Sequence, residues 1–181
     1  MIIRWAARTD AGALSDLAAE TYSAAFGHSF NADDLAAEVQ ANLTEACFER
    51  YIDEDIVLIG EADARVVGYV QFGAGGTLAE AASASDREVR RIYVHPDCQR
   101  QGIGTRLMDA AFSHPELKCA RDVYLDVWER NHGALSFYTR YGFDVIGARR
   151  FDVASGAATD PDLIMVRRSP GQRQPARPRR S

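Results

Sequence analysis

Arg91-Ile-Tyr-Val-His-Pro-Asp-Cys-Gln-Arg-Gln-Gly-Ile-Gly-Thr-Arg-Leu-Met108 decides the fold. It reads as a buried strand, stopped by Pro96, that passes through a short turn and a loop bearing Gly102 and Gly104 directly into a helix. Such a helix start presents unpaired backbone N–H groups and the positive end of the helix dipole, the local geometry that holds a diphosphate. Two other phosphate loops fail on their own terms. A dinucleotide fingerprint needs a glycine three residues after Gly104, where Leu107 stands, and a nucleotide-triphosphate loop needs Gly-Lys-Ser/Thr, which the chain lacks.

Before this stretch, Ile2 to Arg8 reads as a short strand closed by Thr9-Asp10, which caps a helix from Ala11 to Phe26 carrying Leu14, Leu17, Ala18 and Tyr22 at helical spacing. Gly27-His28-Ser29 breaks it, and Asn31 caps a second helix with Leu35, Val39 and Leu43. Strands at Asp55 to Glu61 and Val66 to Phe72 flank the hairpin turn Ala62 to Arg65, an antiparallel pair. Gly73 to Asp86, rich in Gly, Ala and Ser, reads as a mobile connection to the strand Glu88 to His95.

After the glycine loop come a helix to Ser113, a strand Asp122 to Trp128 expected parallel to the Glu88 strand because a helix separates them, and a helix Asn131 to Tyr141 ended by Gly142. Phe143 to Phe151 and Leu163 to Arg168 read as two strands joined by a polar loop from Ser155 to Pro161. Residues 1–168 are expected to form one domain and 169–181, with Pro, Gly, Gln and Arg, a disordered tail.

At 181 residues and 46% hydrophobic, the chain suits a single core. No apolar run approaches membrane-spanning length, and the N-terminal Met-Ile-Ile-Arg-Trp lacks the pattern of a leader, so a soluble cytoplasmic protein is expected. Cys47, Cys98 and Cys119 have neither metal spacing nor disulfide density and read as free thiols. His28, His95, His114 and His132 form no metal set, so no metal is expected. Six arginines lie in the acid-free last fifteen residues, which leaves residues 1–166 with fifteen basic and twenty-six acidic groups, a formal −11. An acidic body favours cationic partners and argues against nucleic acid. Twenty arginines against Lys118 alone, with abundant Ala, suggest GC-rich bacterial coding.

The element order with Gln99-Arg-Gln-Gly-Ile-Gly104 between the fourth strand and third helix resembles the GNAT N-acetyltransferase superfamily, whose loop pattern is Gln/Arg-x-x-Gly-x-Gly/Ala. Asn131-His-Gly-Ala-Leu-Ser-Phe-Tyr-Thr-Arg-Tyr-Gly-Phe143 is similar to a second segment of that family at every named position. A narrower likeness, carried by Glu20-Thr-Tyr-x-x-x-Phe26, Glu88-Val-Arg-Arg-Ile-Tyr-Val, Val127-Trp-Glu-Arg-Asn131 and Gly147-x-x-x-Phe151 with Thr159-x-x-Asp162-Leu-Ile-Met, is to bacterial polyamine (spermidine/spermine-type) N-acetyltransferases. The resemblance implies an α/β GNAT fold: a mixed sheet of about seven strands, splayed between strands 4 and 5, with about four helices. A homodimer is common for small enzymes of this fold.

It further implies acetyl-CoA as co-substrate and direct attack of a primary amine on the thioester, with no acyl-enzyme. Backbone N–H groups of Gln101, Gly102, Ile103, Gly104 and Thr105 would hold the diphosphate, with Arg100 and Arg106 adding charge. Backbone groups of Ile92 and Val94 would pair with pantetheine as a strand edge pairs with a peptide. An N–H near Val94 would polarise the carbonyl. Asn131 and Tyr138, seven apart and so about 10.5 Å along a helix axis, would lie near the pantetheine and the thioester. Tyr138 would protonate the leaving thiolate; the alternative is a packed helix tyrosine. An alkylammonium with a pKa of about 10.4 must lose a proton, and Glu88, eleven residues before Gln99, is expected as a base acting through water. The alternative is a glutamate paired with Arg90 or Arg91.

Tyr22, Phe26 and Trp128, with Phe151, are expected to wall a channel for a cationic amine, met by Glu20, Asp126 or Asp152; taken singly, each aromatic fits core better than ligand wall. The leading function is N-acetylation of a small polyamine-like acceptor. Alternatives keep the chemistry on an aminoglycoside, amino acid or protein amine, reduce the chain to a non-catalytic acyl-CoA sensor, or make the Arg-rich tail a nucleic-acid binder.

Overall fold

The computed structural model describes residues 1–27, 31–78, 83–150 and 160–169. The expected disordered tail from 170 onward and the aromatic Phe151 and acid Asp152 of the expected channel lie outside these residues. So do His28, part of the Gly73–Asp86 connection and most of the Ser155–Pro161 loop.

A short strand β1 (Ile2–Trp5) leads through a 3-10 turn (Arg8–Asp10) into α1 (Ala11–Phe26). Leu14, Leu17, Ala18 and Thr21 of α1 are buried at the three- and four-residue spacing of one helical face. Asn31 caps α2 (Ala32–Asn42) by accepting from the Asp34 N–H at 2.8 Å. A further helix follows that the sequence reading left out, α3 (Glu45–Glu54), capped by Thr44 and burying Cys47 and Phe48. Cys47, Phe48, Tyr51 and Ile52 recur on one face of it at helical spacing, opposite Glu49, Arg50, Asp53 and Glu54.

β2 (Ile56–Ala62) and β3 (Arg65–Ala74) form the expected hairpin, with Asp63 and Ala64 at φ of 50° and 58° in the turn. β4 (Arg87–Val94) runs through a 3-10 turn (Pro96–Cys98) into α4 (Ile103–Ser113). His114 and Pro115, expected simply to end that helix, also start a one-turn α5 (Pro115–Lys118), in which Pro sits at the first position where its missing N–H costs nothing. β5 (Asp122–Trp128), α6 (His132–Arg140), β6 (Asp144–Arg149) and β7 (Asp162–Arg168) complete the described chain. Six α-helices therefore stand among the described residues where about four were expected.

The seven strands form one sheet in the order β1-β2-β3-β4-β5-β7-β6. All described pairs are antiparallel except β4 with β5, which are parallel as expected from the intervening helix. On one face α4, α5 and α6 bury Leu107, Met108, Leu117 and Tyr138 against Val70, Leu125, Val127 and Met165. On the other, α1 and α3 bury Leu14, Leu17 and Phe48 against Val57, Ile59 and Tyr69. No helix among the described residues is long and apolar enough to cross a membrane.

Candidate active site

The site begins where the sheet comes apart. β4 and β5 are paired only at Arg87 with Val123 and Glu88 with Tyr124, so from Val89 and Leu125 onward the two strands diverge and the cleft between them widens. His95 turns its N–H to β3, donating to the Val67 carbonyl at 2.9 Å. N–H directions alternate along a strand, so the N–H groups of Val94 and Ile92 face the cleft. Gln99 reaches back and donates to the Val94 carbonyl at 3.1 Å, tying the loop to the end of β4.

At the mouth of the cleft lies the start of α4. Arg100 (φ 60°) and Gly102 (φ 79°) are both left-handed, and these two reversals turn the chain from the 3-10 turn into the helix. Gly102 is the N-cap and offers no side-chain acceptor. The N–H groups of Ile103, Gly104 and Thr105 are therefore in the unpaired first turn, while the Gly102 carbonyl already accepts from Arg106 at 3.0 Å. A methyl group on Gly104 would meet Val94 and Phe137 only at 3.8 to 4.0 Å, ordinary contact, so packing within the protein does not demand glycine there. Its bareness instead leaves the helix start open to a ligand.

The other predicted cofactor residues differ in what they offer. Ile103 buries its side chain in the core, leaving only its backbone. Gln101 donates its amide to the Asp97 carbonyl at 3.0 Å, bracing the loop. Arg100 is exposed. Arg106 is tied away to the Met1 carbonyl at 2.8 Å.

The second motif forms the far wall. Asn131 is the N-cap of α6, its Oδ1 accepting from Ala134 N at 3.0 Å, so its carbonyl-type oxygen serves the helix. Tyr138 is 8% exposed, and its hydroxyl has no hydrogen-bond partner among the described residues. Burial, followed by the nearby Tyr93 and Asp126, pushes its phenol well above the usual range, so it stays protonated at any physiological pH. Tyr141, passed over in the sequence, locks this wall in place by donating toward Asp109 at 2.7 Å and the Thr105 carbonyl at 3.1 Å on α4.

Glu88, expected as a base acting through water or as a partner of Arg90 or Arg91, does pair with Arg90 and holds further donors. Its carboxylate is 2% exposed and accepts from the backbone N–H groups of Gly76, Thr77 and Leu78 at 2.9, 2.7 and 3.0 Å, from the Thr77 hydroxyl, and from Arg90 at 3.0 Å. Burial would raise its pKa, but these hydrogen bonds, led by Thr77, outweigh it and hold the carboxyl below the usual range. That is the opposite of what a base needs. Glu88 anchors Gly76 to Leu78, and the described ends of the expected mobile connection are also tied down, Gly75 to the Asp86 carbonyl at 3.0 Å and Ser83 to the Asp86 carboxylate at 2.7 Å.

On the α1 side of the sheet, Tyr22 and Phe26 meet at 4.6 Å between ring centroids, and Phe26 and Trp128 at 5.3 Å. The three predicted channel aromatics are thus one contiguous wall. Asp126 lies beside it, ion-paired with Arg149. Glu20 instead faces His95, 3.3 Å away. Sequence reasoning passed over Tyr93, whose phenol burial pushes up to about 12, and Asp162, directly across the β5–β7 pair from Trp128. Among the described residues no group of three or more His, Cys, Asp or Glu side chains could hold a metal ion.

Comparison with known proteins agrees with this fold. The family model described as acetyltransferase (GNAT) family matches residues 13–143. An uncharacterised N-acetyltransferase of Mycobacterium bovis is 30% identical over 161 residues, covering 88% of this chain and 97% of the relative. A peptidyl-lysine N-acetyltransferase of Escherichia coli is 27% identical, covering 80% and 84%. Among solved structures, an N-acetyltransferase from Thermoplasma acidophilum in complex with coenzyme A superposes with a TM-score of 0.72 at 18% identity, covering 93% of this chain and 98% of that one. None of these likenesses singles out the polyamine branch.

Proposed function

Because the chain belongs to the acetyltransferase (GNAT) family and is an acetyl-CoA-dependent N-acetyltransferase, we propose that it acetylates a primary amine on a small cationic, polyamine-like acceptor by direct attack. The observation that supports this reading is the parting of β4 from β5 beyond Glu88 and Tyr124, beside the open start of α4.

In this reading, N–H groups at Gly102 to Thr105 hold the diphosphate at the positive end of α4, a local donor set within an acidic body. The cleft-facing N–H groups of Ile92 and Val94 pair with the pantetheine amides, and that of Val94 donates to the thioester oxygen as negative charge develops on it. Asn131 keeps its amide N–H groups for the same chain. The amine nitrogen attacks the carbonyl carbon, the tetrahedral intermediate collapses with loss of sulfur, and Tyr138 gives the thiolate its proton. The phenol then recovers a proton from the amide nitrogen. No covalent acyl-enzyme is needed.

An amine panel with acetyl-CoA, read by release of the CoA thiol, tests this. Turnover of spermidine or spermine in preference to neutral amines is expected; turnover of neither removes the polyamine acceptor. A lysine side chain presents the same alkylammonium, and the E. coli relative's name favours including peptide lysine as the second reading.

A further inference from the structure

The parting of the sheet leaves a proton unaccounted for. The acceptor arrives as an ammonium, Glu88 is committed to its loop, and a base is still required. Resting on the acetyltransferase reading, we propose that Asp162 and Asp126 receive the acceptor's ammonium group and that Asp162 takes its proton.

The two carboxylates share a face of the sheet. Asp162 opens β7 opposite Trp128, and Asp126 lies two residues before Trp128 on β5, so all three project to the same side. The start of β7 is fixed by the Glu129 N–H donating to the Pro161 carbonyl at 3.1 Å. The opposite β5 residues Leu125 and Val127 point into the α4 core, which confirms the alternation. Asp126 already has Arg149 as counter-ion, from the neighbouring strand β6. Asp162, by contrast, has no hydrogen-bond or ion-pair partner among the described residues. The aromatic wall of Tyr22, Phe26 and Trp128 borders it, and the charge of Asp162 is felt by Tyr22 on α1 and by Tyr93 on β4. Tyr138 packs on the other face of the sheet, with Leu125 and Val127 in the α4 core, and the charge of Asp126 still reaches its phenol.

The charged groups that act on Asp162 are Asp126 from β5 and Arg149 from β6, and Asp162 in turn acts on Tyr22 of α1 and Tyr93 of β4, on which Arg91 also acts. Glu38 of α2 acts on the same two tyrosines. Burial, and then Asp126, raise the Asp162 carboxyl to about 6, with Arg149 opposing. Relative to an ordinary aspartate, that makes it a base stronger by about two orders of magnitude while it stays ionised at neutral pH. The protons balance. R–NH3+ gives one proton to Asp162, which passes it to solvent, and the freed lone pair forms the C–N bond. The C–S bond breaks with its electrons on sulfur, Tyr138 protonates the sulfur, and the second amine proton restores the phenol. The sum is one amide, one CoA thiol and one released proton.

Wild type, Asp162→Asn and Asp126→Asn are each titrated calorimetrically in the presence of CoA. The probes are spermidine and, as the peptide source, an N- and C-blocked lysine. Turnover of both amines with acetyl-CoA is followed from about pH 5 to 9. Expected for Asp162→Asn are at least tenfold weaker binding of the preferred amine, kcat lower by about 10²-fold, and loss of the acid limb of the pH profile. Asp126→Asn weakens binding but keeps the limb. Turnover by wild type with Asp162→Asn equal to it in binding, rate and profile overturns the inference and leaves the acetyltransferase reading intact. Amine binding that depends on Asp162 with no turnover of any amine upholds the carboxylate site and overturns that reading. Failure of wild type to bind either amine overturns the inference. Which amine binds better distinguishes the free polyamine from the protein source.

Discussion

At the scale of the residue, the cleft divides its ionisable groups by what each carboxylate or phenol already holds. Tyr138 is a protonated donor whose hydroxyl no described residue occupies, so Tyr138→Phe should lower kcat by about 10²-fold and leave acetyl-CoA affinity nearly unchanged in a calorimetric titration. The same raised phenol sets the alkaline side of wild-type activity. It keeps its proton above the ordinary value near 10, so the rate should not fall between about pH 8 and 10; a fall there would show a different donor. Glu88 is the contrasting case. Gln in its place offers one acceptor oxygen to donors that now share two, so Glu88→Gln should cost about 1–3 kcal/mol in denaturant unfolding. The ratio of its activity to wild type should be flat with pH, as befits an anchor; a ratio that falls toward low pH would restore it as a base. Spacing from Gln99 identified the position of Glu88, but not that three backbone N–H groups from the preceding loop converge on it. Those donors come from residues ten to twelve positions away in the chain and meet the carboxylate only after the loop folds back.

At the scale of the element, the loop from Pro96 to Thr105 works because two left-handed residues turn a strand end directly into a helix start. Gly102 at φ 79° accepts this geometry without penalty, whereas alanine there should cost about 1–2 kcal/mol. Nothing among the described residues would clash with the added methyl, so the loss is conformational. Gly102→Ala should therefore raise the KM for acetyl-CoA more than it lowers kcat, as steady-state kinetics with varied acetyl-CoA would show. This element was fully legible in the sequence, since its glycines, the preceding Pro96 and the apolar strand are all local signals. Helix α3 was legible too, in the Thr44 cap and in Cys47, Phe48, Tyr51 and Ile52 at helical spacing, and the reading passed over it.

At the scale of the whole molecule, the acceptor side is a place where stability and activity pull apart. The Asp162 carboxyl sits at about 6 in the folded chain against about 3.9 unfolded, so the folded state binds the proton more tightly. Its contribution is complete below about pH 4 and is lost as pH rises through about 6, leaving a strained charge at neutral pH. Asp162→Asn should accordingly gain thermal stability relative to wild type as pH is raised from about 5 to 8, while losing activity. Melting temperatures across that range would check it, and a constant difference would mean that Asp162 titrates as an ordinary carboxylate. By itself, the sequence determined the strand and helix order, the parallel β4–β5 relation, the glycine loop and the Asn131–Tyr138 segment, because each rests on residues within one or two turns of each other. Only the tertiary structure decided which carboxylate is spent and which is available. A side chain's proton affinity depends on the burial and donors that distant strands bring to it, so Glu88 gathered the donors of its loop, and Asp162, read in the chain only as part of a motif, came to lie across from Trp128.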